Sequence, residues 1–264
     1  MLKKPTADTT VPMEEKGSAE RFFGAHAEGY AKSPSHAHGE DLAVLIDALG
    51  PRPTDLALDV ATGTGFTAMA LAPRVRRVIG IDVTDEMLTE ARKLALAQGQ
   101  SNIVFEMGDA LGTKFADASF DIVTTRRAAH HFKDVPGFLR EAHRLLRTGG
   151  RLGVVDMSPP EGAEEFTNQI ERIRDSSHVE AFTPRAWKSM LSDAGFQTRS
   201  SQILGEHITF ERWLYPVKSG GSEEDGVRLA WKRAAPETSR LLQAETDGGI
   251  RGWMKSRIIL IASK

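Results

Sequence analysis

The chain has 264 residues, with 34 basic and 36 acidic side chains and a formal net charge of −2. It contains no cysteine, which excludes disulfides, thiolate metal sites and cysteine nucleophiles. Hydrophobic and charged fractions of 40% and 27% are ordinary for a globular protein, and the near-neutral balance argues against a nucleic-acid partner. No apolar run approaches the roughly 20 residues of a membrane span, and no apolar stretch follows Met1-Leu2-Lys3-Lys4-Pro5, so a cytoplasmic protein is expected.

Residues 1–18 are polar and aperiodic and read as a flexible tail. From Ser18 to Leu49 the pattern is helical, with Ala19, Phe22, Phe23 and His26 on one face, and Pro51 and Pro53 close it. Strand and helix signals then alternate. Strands are expected at Leu56–Val60, Val75–Ile81, Asn102–Met107, Phe120–Thr125 and Arg151–Val155. Helices are expected at Phe66–Leu71, from Thr84 onward, and at Val135–Leu146, with Gly149-Gly150 ending the last. Repeated units of this length imply a doubly wound parallel sheet with helices on both faces. Farther on, helices are expected at Glu161–Arg174 and Thr183–Ala194, and strands at Phe196–Leu204 and Arg257–Ala262. All four tryptophans and both tyrosines fall outside residues 55–156. Aromatic bodies with polar tips suit the wall of a specific small-molecule cavity, or simply a core.

The most informative motif is Asp59-Val60-Ala61-Thr62-Gly63-Thr64-Gly65, which closes the first strand and opens a helix. Gly63 and Gly65 allow a tight turn and close approach by a ligand. With Phe66-Thr67-Ala68 the segment satisfies the dinucleotide pattern G-x-G-x-x-G/A. Asp82, ending the second strand, can accept the hydroxyls of an adenosine ribose. Both NAD and S-adenosyl-L-methionine fit these features. Asp59 separates them, because a carboxylate beside the turn would repel a pyrophosphate and tolerate an ammonium and a sulfonium. Asp109 can accept the adenine amino group, with the next backbone N–H on a ring nitrogen.

The order D-x-x-T-G-T-G, I-G-I-D-x-T, G-D-A, F-D-x-V, H-H-F and L-L-R-x-G-G-R-L resembles the class I S-adenosylmethionine-dependent methyltransferases, in the branch that includes ubiquinone and menaquinone biosynthesis enzymes. The resemblance covers about residues 20–204. The segments Arg126–Phe132 and Arg174–His178 resemble a narrower bacterial branch of largely unassigned substrate, and 206–250 matches no family motif. It implies a Rossmann-like seven-stranded, mostly parallel sheet of order 3-2-1-4-5-7-6, with the last strand antiparallel. A single domain is expected over 19–264. Residues 55–156 form its cofactor core, with helical lid or substrate segments at 19–50, 158–182 and 206–250. The resemblance places Asp82 on the ribose, Asp109 and Ala110 on the adenine, and Gly63 and Gly65 beside the methionine moiety. Asp59, Ala61, Thr62, Val83, Met87 and Arg126 complete the expected cofactor set.

Sites in open parallel sheets lie at the carboxyl ends of the strands, which puts Arg126–Phe132 at the methyl donor. His130, or His131 beside it, is expected as general base, with His131 also expected against the acceptor and Arg126 or Arg127 holding an acidic group of a small-molecule acceptor. Phe22, Phe23, Tyr30 and His178 are expected to bound the acceptor. His26, His36 and His38 lack matching acidic ligands, so no metal is expected. The alternatives are a non-catalytic S-adenosylmethionine-binding module and a dinucleotide-dependent reductase, the latter disfavoured by Asp59 and by the lack of a Tyr-x-x-x-Lys pair. A nucleic-acid methyltransferase would carry Asn/Asp-Pro-Pro-Tyr/Phe where this chain has Thr125-Arg126-Arg127-Ala128. A homodimer is compatible with the sequence.

Overall fold

A computed structural model describes residues 17–264 apart from Pro216 and Lys218; most of the expected tail lies outside the described residues. The N-terminal helical stretch divides into α1 (Ser18–Ala31), α2 (Pro34–Ala37) and α3 (Glu40–Leu49). Pro34 starts α2, and Gly50 ends α3 in the left-handed conformation. The alternating core follows as β1 (Leu56–Val60), α4 (Phe66–Leu71), β2 (Arg77–Asp82), α5 (Asp85–Ala97), β3 (Ile103–Met107), β4 (Phe120–Arg126), α6 (Val135–Leu145) and β5 (Leu146–Met157). The glycine pair expected to separate α6 from β5 lies inside β5, where Gly149 takes φ +77°. The remaining elements are α7 (Glu164–Arg174), α8 (Pro184–Asp193), β6 (Gln197–Thr209), α9 (Phe210–Leu214), α10 (Ser222–Arg233), α11 (Pro236–Leu241), β7 (Glu245–Thr246) and β8 (Ile250–Ser263).

The sheet has the order β3-β2-β1-β4-β5-β8-β6, and β8 runs antiparallel to both β5 and β6. This is the expected order once the two-residue β7, an additional strand paired to β8, is set aside. The central strands are buried on both faces, which is why they read as continuous apolar runs. One face packs Phe138, Leu139, Trp187 and Leu191 of α6 and α8. The other packs Leu45, Leu49, Leu71 and Leu88 of α3, α4 and α5.

The β6–β8 pair is longer than the strands beside it. Pairing of β5 with β8 stops at Met157–Arg257, whereas β6 continues along β8 to Thr209–Gly252. The overhang forms an arm beyond the carboxyl end of the sheet. A third core grows on it from Ile170, Phe210, Trp213, Val227, Trp231 and Trp253. All four tryptophans are therefore buried in cores and none lines either cavity, so of the two readings the sequence left open the core is the one that holds. No helix among the described residues is long and apolar enough to cross a membrane.

The N-terminal helices are fastened to the end of β4 by one carboxylate. Asp41, in the first turn of α3, accepts from Arg126 Nε (3.1 Å) and Nη2 (3.0 Å), and from Arg127 Nε and Nη2 (2.8 Å each). Arg126 Nη1 also donates to the His36 carbonyl, 3.0 Å away. Burial alone would raise the Asp41 carboxyl; hydrogen bonds from both arginines and their charges outweigh it and hold it at about 2. Its folded value is depressed below the ordinary 3.8, so this contribution to stability is present above pH 3.8 and is lost as pH falls towards 2. Asp41→Ala leaves two buried guanidiniums facing each other, which should destabilise the fold by about 3–5 kcal/mol. Chemical denaturation at pH 7 checks this, and the difference from wild type should narrow below pH 3.

Candidate active site

A cavity of about 370 Å³ lies at the carboxyl ends of β1, β2, β3 and β4. The turn after β1 forms its floor, with Ala61 (φ +53°) and Gly63 (φ +55°) both left-handed. A side chain at Gly63 would meet nothing within 4 Å, so the turn leaves room for a ligand to rest on backbone. Gly65 differs. A Cβ there would sit 2.8 Å from Phe105 Cζ, so Gly65 serves packing between the turn and the core, not the cavity.

Asp59 also turns away from the cavity. It is 1% exposed and accepts from Thr62 Oγ1 (2.6 Å) and Thr124 Oγ1 (2.7 Å), and burial pushes its carboxyl up to about 6. The expected electrostatic choice between an ammonium and a pyrophosphate therefore does not act through a facing carboxylate. Asp59 braces the turn from below.

Asp82 does reach the cavity. Its Oδ2 accepts from Gly63 N at 2.8 Å and its Oδ1 from Thr84 N at 3.0 Å, which fixes the carboxylate plane at the rim. Burial raises its pKa, while those two amides act in the opposite direction. Each oxygen retains a lone pair for a ligand hydroxyl. Thr62, Val83 and Met87 line the same cavity. Asp109 and Ala110 lie across from them, with Asp109 Oδ1 held by Leu111 N at 2.9 Å.

A second cavity of about 290 Å³ adjoins the first, and Phe23, Tyr30, His36, Arg127 and His131 belong to both walls. His130 lines only this second cavity. Its backbone N donates to Asp156 Oδ2 (2.8 Å) and its ring Nδ1 lies 2.5 Å from Oδ1. Burial alone would raise Asp156; the charge and hydrogen bond of His130 more than offset this, and its pKa is lowered. An ionised carboxylate only accepts, so Nδ1 carries the proton and Nε2 is the remaining basic nitrogen. Asp156 was missed by the sequence analysis. Its signal is a single carboxylate ending the apolar run Leu152-Gly153-Val154-Val155.

Other expected residues are placed differently. Arg126 and Arg127 flank the first cavity, but both guanidiniums are engaged by Asp41, which argues for a structural task. His131 Nδ1 donates to the Ser177 carbonyl (3.1 Å), and burial together with His130 pushes its pKa down to about 3. His178 lines neither cavity; its Nε2 donates to Asn168 Oδ1 at 2.7 Å. Phe22 likewise lies behind the wall, edge-on to Phe23 with centroids 5.4 Å apart. Burial raises the Tyr30 hydroxyl to about 12, so it faces the cavities as a neutral phenol. No cluster of metal-ligating side chains occurs among the described residues.

Residues 58–154 match a family described as a methyltransferase domain. YcgJ of Bacillus subtilis, an uncharacterised methyltransferase, is 38% identical over 205 residues, spanning 77% of this chain and 80% of YcgJ. The crystal structure of YcgJ matches with a TM-score of 0.80, at 31% identity over 86% of this chain and 99% of that one. The Bacillus halodurans protein BH2331 gives a TM-score of 0.82, at 32% identity over the same shares. A demethylmenaquinone methyltransferase of Deinococcus radiodurans is 42% identical over 166 residues, 59% of this chain and 68% of the relative. With the glycine turn, the sheet order and the rim carboxylate already in place, the chain belongs to the class I S-adenosylmethionine-dependent methyltransferases.

Proposed function

We infer that the first cavity holds S-adenosylmethionine and that the second holds a small acceptor whose proton is taken by His130. The supporting observation is the pairing of an ionised Asp156 with His130 on the wall of a cavity that joins the first through Phe23, Tyr30 and His131. The fit to the cofactor rests on the open backbone at Gly63, the fixed Asp82 acceptor pair, and the apolar Val83, Met87 and Ala110 nearby. S-adenosylmethionine supplies a methyl carbon already activated by its sulfonium, so the bond to sulfur breaks with its electron pair on sulfur as the acceptor atom bonds to carbon.

The chain's own groups do the rest. Asp82 orients the ribose, and Asp109 with the following amide addresses the adenine edge. Phe23, Tyr30 and His131 exclude water where the cavities meet and hold the acceptor in line. His130 Nε2 receives the acceptor's proton, and Asp156 stabilises the resulting imidazolium and keeps the ring in the productive tautomer. A purely binding module has no use for an oriented imidazole beside a second cavity, and this favours catalysis over the non-catalytic alternative.

Two outcomes follow. Asp82→Asn removes the charge and turns an NH2 toward the Gly63 or Thr84 backbone N–H, so calorimetry should show S-adenosylhomocysteine affinity falling about tenfold or more. An unchanged affinity would remove Asp82 from the ribose. His130→Ala should lower turnover by roughly 10²–10⁴ without altering S-adenosylhomocysteine affinity. Asp156→Asn should follow it, because an amide no longer selects the Nδ1–H tautomer. Full turnover in both variants would show that positioning alone drives transfer.

A further inference from the structure

The wall of the second cavity contributed by the β6–β8 arm and the helices packed on it is unevenly charged. Lys255 and Arg257 lie two residues apart on β8 and so share a face of the strand. Both line the cavity, with side chains 17% and 16% exposed. Each is met by a carboxylate that is already shared. Glu171 accepts from Lys255 Nζ (3.0 Å), from Arg174 Nη2 (2.9 Å) and from Trp213 Nε1 (3.0 Å). Glu206 accepts from Arg257 Nη1 (3.1 Å) and Arg212 Nη2 (2.7 Å).

Four cations thus meet two carboxylates on this wall. Of the cavity's other acids, Asp156 pairs with His130, and Asp175, whose Oδ1 accepts from the neutral Ser177, lends its charge to Arg174, so Lys255 and Arg257 keep only their shares of Glu171 and Glu206. An ammonium has three donors and a guanidinium five. Among the described residues, Lys255 and Arg257 each make one side-chain hydrogen bond. Largely buried cations with spare donors and half-shares of their carboxylates are poorly compensated, and an anion between them would restore the balance. The cavity is small, and its remaining wall includes Phe23, Tyr30, Met157 and Ile208.

We propose that the acceptor is a compact organic anion, a planar or apolar body bearing a carboxylate, and that Lys255 and Arg257 dock that carboxylate while its nucleophilic atom faces the junction of the two cavities. This rests on the reading of the second cavity as the acceptor site. It also separates the chain from acceptors that are wholly neutral, because a neutral body would leave the cationic wall uncompensated.

The probes are 4-hydroxybenzoate and its neutral isostere 4-hydroxybenzamide, titrated calorimetrically into the full chain saturated with S-adenosylhomocysteine. The acid should bind at least tenfold more tightly than the amide. Lys255→Met and Arg257→Gln should each weaken the acid at least fivefold and the amide, whose carbonyl accepts from the same donors without a charge, by less, leaving the S-adenosylhomocysteine affinity unchanged. Arg257→Lys, which keeps the charge, should recover most of the acid's affinity, and thermal melts establish that each variant is folded. Equal affinity for acid and amide, or unchanged acid affinity in both Lys255→Met and Arg257→Gln, overturns the proposal. If S-adenosylhomocysteine binds but the acid preference is missing, the anion subsite falls and the methyl-transfer reading stands. If the acid preference depends on Lys255 and Arg257 but S-adenosylhomocysteine does not bind, the anion subsite stands and its assignment as the acceptor site falls.

Discussion

Two arginines at the end of β4 share one carboxylate, and the arrangement of both cavities depends on it. Arg126 and Arg127 would repel each other in a dry interior; Asp41, reaching over from α3, converts them into a clamp. The clamp fixes α2 and α3 against the carboxyl end of the sheet. Held this way, α2 brings His36 to the junction of the two cavities, where it meets Tyr30 edge-on, while α1 packs on α5 and carries Phe23 and Tyr30 there. The close approach continues into the backbone. A Cβ on Gly39 would sit 2.5 Å from the Ser35 carbonyl oxygen and press on the Asp41 carboxylate, so glycine is what lets the chain enter α3 there.

Two of the four non-glycine residues with positive φ among the described residues lie at the first cavity, the others being Ala118 and Gln243. Ala61 and Arg127 are both non-glycine residues in the left-handed region, at φ +53° and +55°, and both border the first cavity. Such residues cost of the order of 1–3 kcal/mol and persist only where surrounding contacts hold them. For Arg127 the contacts are the Asp41 hydrogen bonds and a backbone bond from its N to the Val155 carbonyl at 2.7 Å. For Ala61 they are the Thr62 N bond to the Ile81 carbonyl (2.9 Å) and the buried Asp59–Thr62 pair below the turn. The sheet thus stiffens the surfaces that must hold donor and acceptor in line.

What could be read from the sequence was local. The β1–turn–α4 unit, Asp82 at the end of β2 and the alternation of elements through β5 follow from apolar periodicity and glycine placement within short windows. The misplaced details involve direction or distance. Asp59 sits in a strand buried on both faces, so periodicity could not tell which way its carboxylate points; two threonines decide it. Asp41 and Arg127 are separated by 86 residues, and Asp156 and His130 by 26, so their pairing is a product of topology. The expected strand Phe196–Leu204 proved longer because most of β6 is exposed, and pairing with β8 extends it where alternation gives no signal. Of the two readings open for the tryptophans, the core holds: Trp187 packs in the core beneath α8, and Trp213, Trp231 and Trp253 build the third core.

The central claim is that donor and acceptor occupy two adjoining cavities whose shared wall includes Phe23, Tyr30 and His131. A crystal structure of the protein with S-adenosylhomocysteine tests it most directly. The account predicts ribose hydroxyls on the Asp82 carboxylate, adenine beside Asp109 and Ala110, and the sulfur at the opening into the cavity that His130 and Asp156 border. A ligand seated with its sulfur turned away from that opening, or with its ribose off Asp82, would contradict it.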